Sequence, residues 1–347
     1  MTEAWIEYLA ASGAIISDGA VIDFGDREAE LNAIDDGIIT DLSHRGLIAV
    51  RGEDAVSFLQ GQLTCDMHAL DESHSLLGAW CSPGGRVLTL CRLLLHGADM
   101  IMQLPHERLQ PTLERLRLFV LRARVELDDL SGKRIQMGLC GDTAAALISA
   151  EFGAQPEQPG QVLRRGGARV IRLGSGPRFE AFFDNVEAAK AFWQKSCERL
   201  TQAGVHAWDL LDIFDGLPRI TEPDEYLPQM LNLDLLGGMS FSKGCYVGQE
   251  IIARTHHLGR LKRRMFCVGF DSETPPANDA PLFLEGAGKD HDADGRLLLA
   301  RRRPGGGYAA LAVIKSDSVG QPLRLGTGDG VPVEILPLPY SGLRGGA

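Results

Sequence analysis

The stretch "SFSKGCYVGQEIIAR", residues 240–254, sets one thiol among residues able to tune it. Cys245 follows Lys243-Gly244 and stands at or just before an expected helix N-terminus, because Val247, Ile251 and Ile252 fall at helical spacing. Exposed helix N–H groups and a nearby ammonium both favour thiolate over thiol, and a free cysteine's pKa of about 8.5 falls by more than a unit in such surroundings. A nucleophile or a soft metal ligand results. Gly244 and Gly248 remove side-chain bulk on either side and let a ligand approach the backbone. The plainer alternative is that Cys245 is a small apolar filler and the glycines set the turn. Glu250 and Arg254 form an i,i+4 pair worth a few tenths of a kcal/mol.

The thiol has no obvious partner along the chain. The seven cysteines (Cys65, Cys81, Cys91, Cys140, Cys197, Cys245, Cys267) are odd in number and lack CxxC spacing, which fits reduced thiols and argues against a disulfide framework or a self-contained zinc or iron–sulfur site. "GSG" at 174–176 leads into strand-like sequence, and "PGGGY" at 304–308 lacks the Gly-Lys-Ser/Thr ending of a phosphate loop. The net charge of −11 argues against a surface built broadly for nucleic acid. Its basic runs, Arg260 to Arg264 and Arg301 to Arg303, read as solvated faces or strand flanks. The acidic start is unlike a secretory signal, and no stretch approaches the ~18 continuous apolar residues of a membrane span, so a cytoplasmic protein is expected.

Several elements are needed to hold the thiol. "LIAVRGEDAVSFLQGQLTCD" reads as strand, turn and a helix carrying Val56, Leu59 and Leu63. Two β-rich runs surround Ser82-Pro83-Gly84-Gly85 as a hairpin, and another strand follows the turn at 96–99. A helix with Leu109, Leu113, Leu116 and Val120 on one face comes next. Beyond it lie strands at "KRIQMGLCG", "GARVIRLG" and "RFEAFFD", a helix ended by Gly153, and a helix capped by Asn185 and stopped at Gly204. The helix through Trp208, Leu211 and Ile213 ends at Gly216-Leu217-Pro218. The spacing is too irregular for a doubly wound sheet, so the class is α+β.

Length and composition suggest two or three domains. Residues 1–270 form the first region, with two α+β subdomains, discontinuous in sequence and splitting near 130–205. The Pro-rich "DSETPPANDAP" then opens a small β-rich domain at 271–347.

"KGCYVGQEIIAR" closely resembles the signature of the YgfZ family, folate-binding proteins related to the glycine-cleavage T protein (aminomethyltransferase) and linked to iron–sulfur protein maturation and tRNA modification. "DLSHRGLIAVRGEDAVSFLQGQLTCD", "DIFDGLPRI" and "YLPQMLNLDLLGGMSFSKGCYVGQE" resemble further blocks of that superfamily, so the likeness runs from about residue 38 to 266. It implies a three-subdomain ring of the aminomethyltransferase-like folate-binding fold, with a C-terminal all-β barrel-like domain and tetrahydrofolate or a derivative in the central opening. Lys243, Gly244, Cys245, Tyr246, Gly248, Gln249 and Glu250 match the signature, with Cys245 the functional thiol and Lys243 beside it. Trp208 matches an aromatic position of folate contact, where an indole can stack on a ring or simply pack in a core. Arg45 falls where some members carry an aromatic contact; a guanidinium there can stack or pair with a folate carboxylate.

The departure from the transferase branch is as informative. "GGRVLT" places Leu88 and Thr89 where that branch carries its catalytic aspartates, which argues against an ordinary aminomethyltransferase. The resemblance therefore implies an accessory protein supporting iron–sulfur cluster assembly or repair, including enzymes of tRNA modification, with iron–sulfur clients as partners and an indirect connection to tRNA. The alternative is a folate-dependent one-carbon transferase or demethylase with Glu250 or Asp215 as acid/base group, although Asp215 also reads as a helix-end residue. Direct tRNA binding through Arg260 to Arg264 ranks third. A monomer is expected.

Overall fold

Residues 135–140 and 178–183 are buried almost without break, the pattern of strands covered on both faces. In the computed structural model, which describes residues 3–174, 176–220, 222–288 and 290–340, they pair antiparallel at the centre of a six-stranded sheet. Its order is Val162–Arg165, Ala168–Arg172, Arg178–Phe183, Ile135–Cys140, Ile38–Asp41 and Thr201–Ala203. This sheet lies in the first of two compact units, made of Met1–Gln60, Asp66–Leu77 and Cys91–Trp208; the second comprises Gly61–Cys65, Gly78–Leu90 and Asp209–Ala347. One face of the sheet presents Ile39, Met137, Leu139, Val170, Phe179, Ala181 and Phe183 to a core completed by Trp5, Leu9, Phe192 and Trp193 from the Glu3–Ala11 and Val186–Cys197 helices. Trp5 and Trp193 meet edge to face at 5.6 Å.

A five-stranded sheet, ordered Leu76–Cys81, Val87–His96, Asp99–Pro105, Arg45–Arg51 and Glu126–Asp129, contains the expected hairpin around Ser82. The His106–Val120 helix follows, with Leu109, Leu113 and Leu116 buried as their spacing predicts. The helix expected to carry Leu63 stops at Gln60, because the backbone beyond it pairs elsewhere: Leu63 bridges Trp80, and Thr64 N–H donates to Ala79 O at 3.0 Å. Asn185 caps its helix as expected, accepting from Glu187 N at 2.8 Å and Ala188 N at 3.2 Å. Gly204 is not that helix's stop. The helix ends at Cys197, and Thr201–Ala203 then pairs in parallel with residues 38–40. Gly204 is required for another reason, since a Cβ there would lie 2.0 Å from the Ile22 carbonyl oxygen.

The C-terminal part is a closed antiparallel barrel of Arg263–Phe270, Tyr308–Lys315, Gly295–Arg302, Pro281–Leu284, Leu323–Leu325 and Val331–Leu336, the class the sequence implies. Its first strand precedes residue 271 and pairs with both Tyr308–Lys315 and Val331–Leu336. The Pro-rich segment is therefore a connection inside the barrel and not its border. Residues 341–347 of the expected domain, and Ser175 of "GSG", lie outside the described residues. No helix among the described residues is long and apolar enough to cross a membrane.

Asp294 is a buried carboxylate of the barrel, which accepts from Ser318 Oγ at 2.9 Å and Leu284 N at 3.1 Å and meets His291 Nε2 at 3.0 Å. Burial pushes its pKa up, but those bonds and the Lys315 charge outweigh it and hold the carboxyl below its ordinary value. A carboxyl lowered on folding contributes stability that is present above its unfolded pKa and lost as pH falls through the folded one. Thermal unfolding followed by circular dichroism should show the midpoint dropping below about pH 4. Asp294→Asn should be less stable at neutral pH and show a shallower acid slope.

Candidate functional site

The sequence-derived site residues fall into two groups, one in each unit. In the second unit, the helix of the signature is Gln249–Leu258, two residues later than the spacing suggests. Cys245 thus lies in the loop ahead of the helix and not at its cap. Gly248 occupies the cap with φ 83°, and a Cβ there would come within 2.5 Å of Ser82 O and 2.8 Å of Gly85 Cα. The glycines of the 82–85 turn and of the signature are therefore one requirement, the close approach of two backbones.

Lys243 is buried, and its ammonium donates to Leu63 O and Cys65 O, both at 2.7 Å, while standing 4.9 Å from the centre of the Tyr246 ring. It anchors the loop to the segment around residue 64. Tyr246 is buried too. Its phenol pKa is pushed upward by burial and, secondarily, by the thiols of Cys81 and Cys65. Val247 N–H donates to Gly61 O at 3.2 Å, and Gln249 turns back so that its Oε1 accepts from Tyr246 N at 3.3 Å. Between these inward anchors Cys245 is exposed. Nothing lies within 4 Å of where a Gly244 Cβ would sit, so no packing demands that glycine and the space beside the thiol is open. Glu250 points to solvent and pairs with Arg254 at 3.0 Å, the plainer of its two readings. Asp215 is half-buried just past the Val205–Phe214 helix. Leu88 and Thr89, a leucine and a threonine in place of carboxylates, are buried.

The other group gathers on the second face of the six-stranded sheet. Register places Thr40 opposite Gly138 and Gly138 opposite Glu180, so the three share one face. Trp208 packs there: a Cβ on Gly138 would be 2.5 Å from Cζ3 of its ring, and the Arg178 guanidinium stands 4.1 Å from the ring centre. The indole is fully buried between them. Arg45 forms a salt bridge with Glu180, whose side chain is also buried. The strand Arg178–Phe183 thereby brings Arg45 and Trp208 to one place.

Thr40 Oγ1, Glu180 Oε2 and Trp208 Nε1 are among the polar atoms of this cluster that are buried without a hydrogen-bond partner. Sequence reading missed Thr40, Gly138, Arg178 and Glu180. The signal was a carboxylate and an arginine inside "RFEAFF", a strand with no exposed position, and a glycine at the centre of "IQMGLC".

No protein-family model matches the chain. It is 31% identical over 306 residues to the tRNA-modifying protein YgfZ of Colwellia psychrerythraea, covering 87% of this chain and 93% of that protein. The chain belongs to the YgfZ family. The YgfZ proteins of Edwardsiella ictaluri (32% over 300 residues, 85% of this chain and 89% of that one) and Vibrio atlanticus (31% over 315 residues, 88% and 92%) agree. The fold of this YgfZ-family chain is that of the glycine cleavage system aminomethyltransferase T from Bartonella henselae, with a TM-score of 0.76 at 18% identity over 98% of this chain and 97% of that one.

Two substitutions test these arrangements. Gly138→Ala should displace Trp208 and cost about 1–3 kcal/mol by overpacking, read as urea unfolding with a shift in tryptophan emission. Lys243→Met should cost about 3 kcal/mol, because two carbonyls lose a charged donor. Limited proteolysis should then cut within residues 240–248 before any other loop.

Proposed function

We propose that this YgfZ-family protein binds tetrahydrofolate or a close derivative at the Thr40–Glu180–Trp208 face and presents Cys245 as a working thiol for the assembly or repair of iron–sulfur enzymes. The observation that carries the folate half is the clustering of buried, unpartnered Thr40 Oγ1, Glu180 Oε2 and Trp208 Nε1 around Gly138. A buried polar group left without a partner costs about 1–3 kcal/mol, so such a cluster favours a ligand with matching groups. A pterin edge has them. Its amino and amide N–H groups donate to a carboxylate such as Glu180, and its ring nitrogens and carbonyl accept from an indole N–H or a hydroxyl. Arg45 pairs with the other oxygen of the Glu180 carboxylate. Bound, the folate would supply reduced nitrogens able to carry a one-carbon unit.

The thiol half rests on the loop, where an exposed sulfur stands between Lys243 and Tyr246, both fixed in the interior. A thiol so placed can reach a partner protein or an iron atom offered from outside. The buried Leu88 and Thr89 give no support to a transferase, and Glu250, exposed and paired with Arg254, gives none to a demethylase. The relatives' designation as tRNA-modifying fits a protein that serves iron–sulfur enzymes acting on tRNA.

Calorimetric titration with tetrahydrofolate should show saturable binding that Glu180→Gln weakens at least about tenfold, for loss of a charged acceptor, with the variant's melting curve confirming that it folds. Unchanged affinity would place folate elsewhere. Cys245→Ser should bind folate normally yet leave iron–sulfur enzyme activity low in cells relying on it; full activity in those cells removes the thiol's role.

A further inference from the structure

From residue 251 to 270 the chain carries five cationic side chains, Arg254, Arg260, Lys262, Arg263 and Arg264, two histidines and no acidic residue, although its net charge is −11. The fold divides these cations. Arg264 is committed inward, its guanidinium on both oxygens of Asp234 at 3.1 and 2.9 Å. Arg254 and Arg260 pair with Glu250 and Asp317, but all four side chains are mostly exposed, so those pairs are weak. Lys262 and Arg263 are exposed and have no acidic partner among the described residues. Arg263 also stands opposite Lys315 in the strand pairing, where like charges repel. Lys315 has Asp294 at 3.6 Å to compensate it; Arg263 has no such group.

Beside this run three rings form a corner. Phe241, from the loop that carries Cys245, and His256, near the end of the Gln249–Leu258 helix, are stacked with centres 3.8 Å apart and planes 16° from parallel. Phe241 is half-buried and His256 exposed. His257, exposed as well, stands at 80° to His256 with centres 4.8 Å apart, and 6.2 Å from Phe241. Those three separations make nearly a right angle at His256, so His257 lies at its edge and neither ring covers its outer face. A planar heterocycle fits such a corner, with His256 as floor and His257 as wall.

We propose that this end of the second unit binds single-stranded nucleic acid, one base stacked on the outer face of His256 and the flanking phosphates against Lys262 and Arg263. Aromatic platforms beside cations hold unpaired strands without reading their sequence. Uncompensated cations alone suit any polyanion, and a ring corner alone suits any planar molecule; a single strand brings both, nucleotide after nucleotide. A duplex keeps its base faces stacked on one another, an acidic peptide brings no heterocycle with each charge, and a lipid headgroup brings charge without a ring. The acidity of the whole chain opposes a broad nucleic-acid surface and keeps this one local and modest in affinity. The site rests on neither the folate nor the thiol reading.

A fluorescent oligouridylate of about eight nucleotides, titrated with the full chain and followed by anisotropy, should bind saturably at low salt. The log–log salt slope should be roughly −1.4 to −2.1, for two or three phosphates. His256→Ala should weaken binding at least about fivefold, the low end for one stacked base, while His256→Phe retains it. Arg263→Gln should weaken binding and flatten the salt slope by about 0.7. An oligothymidylate of the same length identifies the source: equal affinity gives the site to either nucleic acid, and weaker affinity gives it to RNA through the 2′-hydroxyl. If the stack only pins the loop, His256→Ala lowers the melting midpoint and leaves affinity untouched, which overturns the assignment. So does an absence of saturable binding at low salt, unchanged affinity in Arg263→Gln, or equal affinity for a matched duplex. Equal affinity for polyglutamate or for phosphatidylserine vesicles overturns it too, giving the patch to an acidic protein or to a membrane.

Discussion

The Lys243 ammonium is held out of water by the carbonyl oxygens of Leu63 and Cys65, and the shape of the signature loop follows from that. Burying an ammonium is costly unless strong acceptors replace its hydration. Two carbonyls at 2.7 Å do so, and they lie nearly two hundred residues earlier in the chain. With Lys243 and Tyr246 both drawn inward, the intervening cysteine is left facing solvent. The glycine requirement at Gly248 belongs to the same arrangement, because the segment can be drawn in only if its backbone comes close to that of Ser82 and Gly85. In this signature the lysine is the structural residue and the cysteine the accessible one.

The six-stranded sheet divides its labour by face. One side is an ordinary apolar core with paired tryptophans, and it carries the stability of the unit. The other carries an arginine, a glutamate, a threonine and an indole in close order, with polar atoms of the glutamate, threonine and indole unsatisfied. A domain with about 5–15 kcal/mol of net stability tolerates a few such atoms only because the opposite face is so well packed. Ligand binding on the polar face would recover part of what the protein forgoes there.

The sequence made the thiol and its glycines legible because glycine, lysine and cysteine act through local chemistry, and local chemistry survives in a linear reading. The all-β class of the C-terminal part and the Asn185 cap were legible for the same reason, while the barrel form came from the family resemblance. What was lost depends on partners distant in sequence. The helix expected to run through Leu63 stops early because Thr64 pairs with Ala79, and the strand Arg263–Phe270 was masked by its basic start. Glu180 went unnoticed because its meaning lies in register, opposite Gly138, and in the salt bridge to Arg45. Trp208 drew attention as a stacking aromatic, whereas the glycine that admits it and the arginine that covers it belong to strands far upstream.

The second unit is assembled from three separate lengths of chain, two of them short and made early. On a ribosome, Leu63 and Cys65 emerge on the order of 10 to 40 s before the lysine that will bind their carbonyls, at ordinary rates of synthesis. The nascent chain must carry those segments uncommitted while the first unit's strands become available to pair. The thiol loop is therefore a late event in the protein's birth. A product cut short after Trp208 could complete the first unit's sheet, but it would contain no Cys245 to display.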